Sequence, residues 1–337
     1  MAFEGESNRQ TFVRQGFVGI NVLQSIPLSA INSEDSRFRI TTKTEIHELV
    51  ESIQQLGLIH PPILKRCASE YIIISGFRRI TACRHLGWVE IPARILSSEI
   101  SDKTCTQYAI ADNTLQRPLN LVEISRSLFL LSCVYKDENQ RLECASKLGL
   151  PDNPSLIKKI EKIYHLPEPI QNGILKGTIS MAVGLELSRF EPDIGDALAG
   201  LFDRLKIGLN KQREIILLLD EIALRENTTI GSLLNGKYIR EILDNDELDR
   251  TRKQKKIRAY LYQRRFPTRF KTKTEFEKLV KDLKLGNSIK LMSPQDFEGP
   301  TYTLKATFNN LAELKDFRSK LDRIILSSGL QKFLTKK

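Results

Sequence analysis

Three groups of residues have the types and spacing to do chemistry. The first is Ser75-Gly76-Phe77-Arg78-Arg79, which follows the β-branched run Tyr71–Ile74. A strand that runs into a glycine and then a helix start makes an anion site. The glycine lets backbone approach, the helix N-terminus offers free N–H groups, and Arg78 and Arg79 supply charge. The second is a candidate recognition helix, Ser155–Tyr164, with Ile157, Ile160 and Ile163 on one face and Lys158, Lys159 and Lys162 on the other. Asn153 is placed to cap it, with Pro154 at its first position. With a short helix over Gln140–Leu148 and a turn at Gly149–Pro154, it has the form of a helix-turn-helix whose Asn153, Ser155 and lysines meet DNA. Any helical hairpin shares that outline. The third is a basic stripe. The chain carries 52 Lys and Arg against 41 Asp and Glu, and eleven of the basic residues lie in 250–273 with no acid among them. Outside that stretch the chain is formally neutral. Arg252, Lys253, Lys255, Lys256, Arg258, Arg264 and Arg265 are therefore candidates for sequence-independent contact with a polyanion. A solvated helix face is the plain alternative.

The elements that position these groups follow from periodicity. Residues 1–36 read as a tail, irregular apart from a strand-like piece at Phe17–Leu23. Ile46, Leu49, Val50 and Ile53 give a helix over Thr44–Gln55. Pro61–Lys65 and Tyr71–Ile74 read as strands, Arg78–Leu86 as a helix, and Ile91–Leu96 as an edge strand because of Pro92. Residues 37–102 are thus expected to be a small α/β domain. Residues 103–248 read as helical, with Glu214–Leu224 packed inside, and 249–273 as a basic connector. From 274 to 330, a helix through Phe276, Leu279, Val280 and Leu283 precedes strands at Ser288–Met292 and Tyr302–Phe308. A closing helix, Asn310–Ile325, turns Leu311, Leu314, Phe317 and Leu321 inward. Two strands alone are marginal in water, so this small α+β unit is expected to pair with a second copy.

Other chemistry finds little footing. The five cysteines stand singly, with no C-x-x-C pair, and read as buried reduced thiols. The four histidines (His47, His60, His85 and His165) are dispersed and read as structural or surface groups. No apolar run approaches the roughly 20 residues of a membrane span, and Met1–Gln15 has no signal-peptide core. The sequence predicts a soluble cytoplasmic protein.

Three segments, in order, resemble the ParB family of partition proteins. Leu56-Gly57-Leu58-Ile59-His60-Pro61-Pro62, Ser75-Gly76-Phe77-Arg78-Arg79-Ile80-Thr81-Ala82 and Leu86-Gly87-Trp88-Val89-Glu90-Ile91-Pro92 are similar to the family's N-terminal domain. Asn113-Thr114-Leu115-Gln116-Arg117 resembles its E-N-x-Q-R segment. The helix-turn-helix, followed by Leu166-Pro167-Glu168, Ile170-Gln171 and Gly177-Thr178-Ile179-Ser180, resembles its DNA-binding part. The resemblance implies a ParB/sulfiredoxin-like α/β domain, a helix-turn-helix middle and a C-terminal strand–strand–helix dimerisation unit. It implies CTP with magnesium, held by Ser75, Gly76, Arg78, Arg79, Asn113, Thr114, Gln116 and Arg117, with Asn113 toward the metal. It implies a nucleoid-associated homodimer that loads at a palindromic duplex site and closes as a sliding clamp. It also implies a ParA-type ATPase as partner, toward which Arg9 and Arg14 of the tail are candidates.

Two positions depart from the family pattern. Phe77 stands where a glutamate is expected, and Asn113-Thr114 stand for Glu-Asn, with Asp112-Asn113 as the alternative pair if one residue is inserted. Nucleotide binding without efficient hydrolysis is the expectation, and no catalytic residue is assigned. A transcription or copy-number regulator on the same scaffold is the rival function. A reductase needs a cysteine beside the phosphate loop, where position 77 is Phe, a kinase needs an acidic base near that loop, and a nuclease needs a metal-spaced cluster of Asp, Glu or His, none of which the sequence supplies.

Overall fold

The computed structural model describes residues 20–286, 288–297 and 299–335, so Arg9 and Arg14 lie outside the described residues. The chain divides into two compact units, 1–204 and 205–337. The break falls inside the stretch expected as one helical domain.

The first unit opens with β1 (Ile20–Pro27) and β2 (Ile31–Asn32), then α1 (His47–Leu56), β3 (Ile63–Cys67), β4 (Glu70–Ser75), α2 (Phe77–His85) and β5 (Glu90–Leu96). The sheet order is β1-β5-β3-β4-β2. β3 and β4 form an antiparallel hairpin whose turn places Ala68 at φ 50°. β5 runs parallel to β3 and antiparallel to β1. Two sequence expectations are corrected here. The region expected as a tail supplies β1 and β2, with Ile26, Leu28 and Ile31 in the core. And β5 is internal rather than an edge. Pro92 is tolerated because the β3 register begins only at Arg94, so the missing N–H takes nothing from that side. The core gathers Ile53, Leu64, Ile73, Ile80, Cys83 and Ile91, with Phe77 and Trp88 packed against it. Cys83, Cys105 and Cys144 are buried thiols, whereas Cys67 and Cys133 are exposed, contrary to the expectation for all five.

Helices α3 (Asp102–Gln116) and α4 (Leu121–Val134) follow. Pro118 forces Arg117 into an extended conformation (φ −164°, ψ 162°) and ends α3 there. Asn120 and Glu123 restart the chain as a capping box at the head of α4. Then come α5 (Glu138–Lys147), α6 (Pro154–Glu161), α7 (Glu168–Leu175), α8 (Met181–Leu187) and α9 (Pro192–Leu205).

The second unit holds α10 (Leu209–Glu226), α11 (Ile230–Leu234), α12 (Lys237–Asp244), α13 (Arg250–Arg265) and α14 (Pro267–Asp282). It ends in β6 (Ile289–Met292), β7 (Thr303–Ala306), α15 (Leu311–Leu326) and α16 (Ser328–Thr335). The expected connector is a packed helix. α13 buries Ile257 and Leu261 and lies against α10, which buries Ile215, Ile216, Leu218, Leu219 and Ile222. At the C-terminus, Phe276, Leu283, Leu285, Ile289, Ile324 and Leu330 form the core, so α16, which periodicity missed, helps to close it. Leu311 and Leu314, expected inward, are exposed.

Candidate anion and nucleic-acid sites

β4 delivers Ser75, buried at the strand end, into Gly76, which caps α2 at φ +99°. A Cβ at position 76 would come within 2.7 Å of the Pro62 Cβ, so only glycine permits this close approach. Arg79, in the first turn of α2, donates Nη1 to the carbonyls of His60 (2.7 Å) and Pro61 (3.3 Å). Its Nη2 donates to Asp112 Oδ2 at 2.8 Å, and the Ser75 hydroxyl donates to the same oxygen. Arg79 and Ser75 thus converge with Gly76 as expected. Arg78 does not join them, because its guanidinium donates to the carbonyl of Glu45 (Nε, 3.0 Å). Phe77 packs on the apolar core, and the Arg39 guanidinium stands 6.0 Å from its ring centre.

The second predicted segment lies on α3. Asn113 Nδ2 donates to Ala109 O (2.7 Å) and Thr114 Oγ1 to Ile110 O (3.1 Å), so both side chains fold back on their own helix. Gln116 is exposed. Arg117 makes a two-pronged contact with Glu123, Nη1–Oε2 2.7 Å and Nη2–Oε1 2.6 Å. Glu123 has no exposed surface. It also accepts from Thr42 N (2.9 Å), Thr42 Oγ1 (3.2 Å) and Asn120 N (3.2 Å). Burial pushes its carboxyl up, but the Arg117 guanidinium and the Thr42 and Asn120 N–H groups outweigh that and hold it at about 2. One turn further, Arg126 Nη1 donates to Thr41 O at 3.1 Å. Asn120, Glu123 and Arg126 therefore pin residues 40–42 along one face of α4.

Glu123 was not among the expected ligands, and Asp112 entered only through the alternative Asp112-Asn113 pair. The signal for Glu123 was the N-x-x-E spacing from Asn120. The signal for Asp112 was its place beside Asn113 as a shifted Glu-Asn pair. The cradle at Ser75, Gly76 and Arg79 fits a phosphate. The donor set does not fit magnesium, since each carboxylate here is paired with an arginine and the Asn113 amide is turned to Ala109.

The helix-turn-helix is present. Gly149, at φ +75°, turns the chain after α5, and Asn153 Oδ1 accepts from Leu156 N at 3.0 Å to cap α6. Ile157, Ile160 and Ile163 are buried, while Asn153, Ser155, Lys158, Lys159 and Lys162 are exposed. α6 ends at Glu161, so Lys162 stands in the following 3₁₀ turn. Arg141 ties α5 to Glu161 of α6 at 2.9 Å, and Ser125 of α4 donates to Glu161 O at 3.3 Å.

The basic stripe is largely spent inside its own unit. Arg258 pairs with Glu214, Arg264 with Glu226 and Arg265 with Glu221, each at 2.6 Å. Lys253 is buried and donates to Leu243 O at 2.7 Å. Arg252 stands 3.5 Å from Asp249. Lys255 and Lys256 remain exposed toward solvent. The counterions come from α10, distant in sequence and adjacent in space, which a charge count along the chain does not see.

Residues 13–114 match the ParB N-terminal domain family. A nucleoid occlusion protein of Oceanobacillus iheyensis is 27% identical over 56% of this chain and 66% of its own length. A probable chromosome-partitioning protein ParB of Chlamydia pneumoniae is 29% identical over 42% of this chain and 50% of its own. The chain therefore spans less than two thirds of the length of these relatives. Among solved structures, a C-terminally truncated ParB of Caulobacter crescentus complexed with CTP-γ-S covers 54% of this chain and 99% of its own. It does so at 21% identity and a TM-score of 0.26, too low to carry a structural argument. Residues 13–114 thus match a ParB N-terminal domain, and the chain is similar, over part of its length, to ParB and nucleoid occlusion proteins.

Proposed function

We propose that the chain is a double-stranded-DNA-binding protein of ParB type. It acts in partition of a chromosome or plasmid, recognises a palindromic site as a homodimer, and takes CTP as its gating ligand. The observation that carries the reading is α6 with the 3₁₀ turn after it, which bury Ile157, Ile160 and Ile163 and leave Ser155, Lys158, Lys159 and Lys162 to solvent behind a capped turn. The phosphate-shaped cradle at Gly76 supports the nucleotide, with CTP named by the family resemblance. Exposed Phe308, Leu311 and Leu314 in the C-terminal module support pairing of two copies. Magnesium has no place in the proposal, and efficient hydrolysis is not expected.

Selection of sites from a random duplex library by the full chain tests the DNA half. A palindrome should be enriched, and the enrichment should vanish when Lys158, Lys159 and Lys162 are replaced by alanine. Uniform retention of all sequences by the unaltered chain refutes it. Ultraviolet crosslinking of radiolabelled CTP beside ATP and GTP, with Arg79→Ala as control, tests the nucleotide half. CTP-selective labelling lost in Arg79→Ala supports it, and no labelling with or without DNA refutes it.

A further inference from the structure

Of the three arginines that the nucleotide reading assigns, Arg78 is turned to Glu45 O, and Arg79 and Arg117 are held by carboxylates of this chain, Asp112 and Glu123. The two pairs differ in what it takes to open them. Glu123 is fully buried and accepts from Arg117, Thr42 and Asn120. Removing Arg117 from it strands a buried charge, which costs several kcal/mol. Asp112 keeps 27% of its side-chain surface exposed and has two donors, the Ser75 hydroxyl and Arg79, both on one oxygen. Its release returns a carboxylate to water at modest cost. Those two donors also flank Gly76, where the backbone comes closest to Pro62. The carboxylate occupies the place that the cradle offers to an external anion.

We infer that Asp112 is an internal occupant of the phosphate cradle, and that a nucleotide triphosphate binds by displacing it while Arg117 stays on Glu123. The inference rests on the nucleotide reading and deepens it. Asp112 gates the cradle, and Arg117 braces the α3–α4 corner without contacting the ligand. Two properties follow. Apparent affinity is lowered by the fraction of molecules in which the cradle is open. And at high nucleotide the observed binding rate levels off, because opening becomes limiting. Charge repulsion by a bystander Asp112 lowers affinity as well, but leaves the observed rate linear in nucleotide.

The test uses the full chain and Asp112→Asn, with CTP as probe, in calorimetry and stopped-flow mixing. Asp112→Asn should bind roughly tenfold tighter, the shift expected if the cradle is about one-tenth open. The wild-type rate should saturate and the variant rate rise linearly. Equal or weaker binding by the variant, or a linear rate in both, overturns the gate. Binding absent in both proteins, with Trp88 fluorescence showing a folded first unit, overturns the nucleotide reading itself. Asp112→Ala is the second variant if Asp112→Asn does not fold. Arg117→Lys completes the set: an unchanged CTP affinity with a lower urea midpoint fits the brace, and a tenfold loss of affinity contradicts it.

Discussion

The Arg117–Glu123–Thr42 lock makes a pH-resolved prediction. The perturbation is Glu123→Gln, which keeps size and removes charge. The Glu123 carboxyl lies at about 2 in the folded chain against an ordinary value of 4.5. A depressed folded-state value means that the charged form favours the fold. The contribution is complete above the unfolded value and drains away as pH falls from about 4.5 toward 2. At 1.36 kcal/mol per unit, the difference amounts to about 3 kcal/mol at neutral pH. The chain's single tryptophan, Trp88, packs against the first unit's core, so its fluorescence reports that unit's urea unfolding. The wild type should exceed Glu123→Gln by about 3 kcal/mol at pH 7. The gap should narrow steadily below about pH 4.5, because carboxylates common to both proteins cancel in the comparison. A gap that stays constant from pH 7 to pH 3 refutes the assignment of stability to the charged carboxylate.

Four further outcomes are expected. Replacing Lys158, Lys159 and Lys162 with alanine should reduce the slope of log K against log salt by about 3, at roughly 0.9 per phosphate contact, in filter binding to duplex DNA. Lys255→Ala with Lys256→Ala should reduce that slope by about 2. Arg258→Ala and Arg265→Ala, whose charges are already neutralised by Glu214 and Glu221, should leave it unchanged. Gly76→Ala should lower the urea midpoint of the first unit by the equivalent of about 2 kcal/mol or more, since it combines positive φ with a 2.7 Å approach to Pro62.

What was legible in the sequence was whatever depends on near neighbours. The β-branched run ending at Gly76, the Asn153-Pro154 cap and the spacing of Ile157, Ile160 and Ile163 each encode a local geometry, and each is present. What was not legible depends on residues far apart. β1 reads as tail because its partner, β5, lies some seventy residues on, and the same pairing turns β5 from an edge into an interior strand. The stripe at 250–273 reads as free charge because its carboxylates sit on α10. At the cradle, the motif names Arg78 and Arg79 alike, yet a bond to Glu45 O turns Arg78 away. Asp112 is legible only as a stand-in for the family's glutamate, because its pairing comes from facing Ser75 and Arg79 across the fold. In the C-terminal unit, the periodicity that marks Leu311 and Leu314 does mark an apolar face, which is exposed among the described residues.

Helix α4 serves two masters. Through Glu123 and Arg126 it grips the strap at 40–42 that leads into the α/β layer. Through Ser125, on the turn between them, it touches the end of the lysine-bearing helix α6. The helix thus forms part of both neighbourhoods, so a ligand that favours one setting of α4 is expected to alter the other site's affinity. Under the proposed function, thermodynamic reciprocity makes the exchange symmetrical: whatever factor nucleotide would impose on DNA affinity, DNA would impose on the nucleotide.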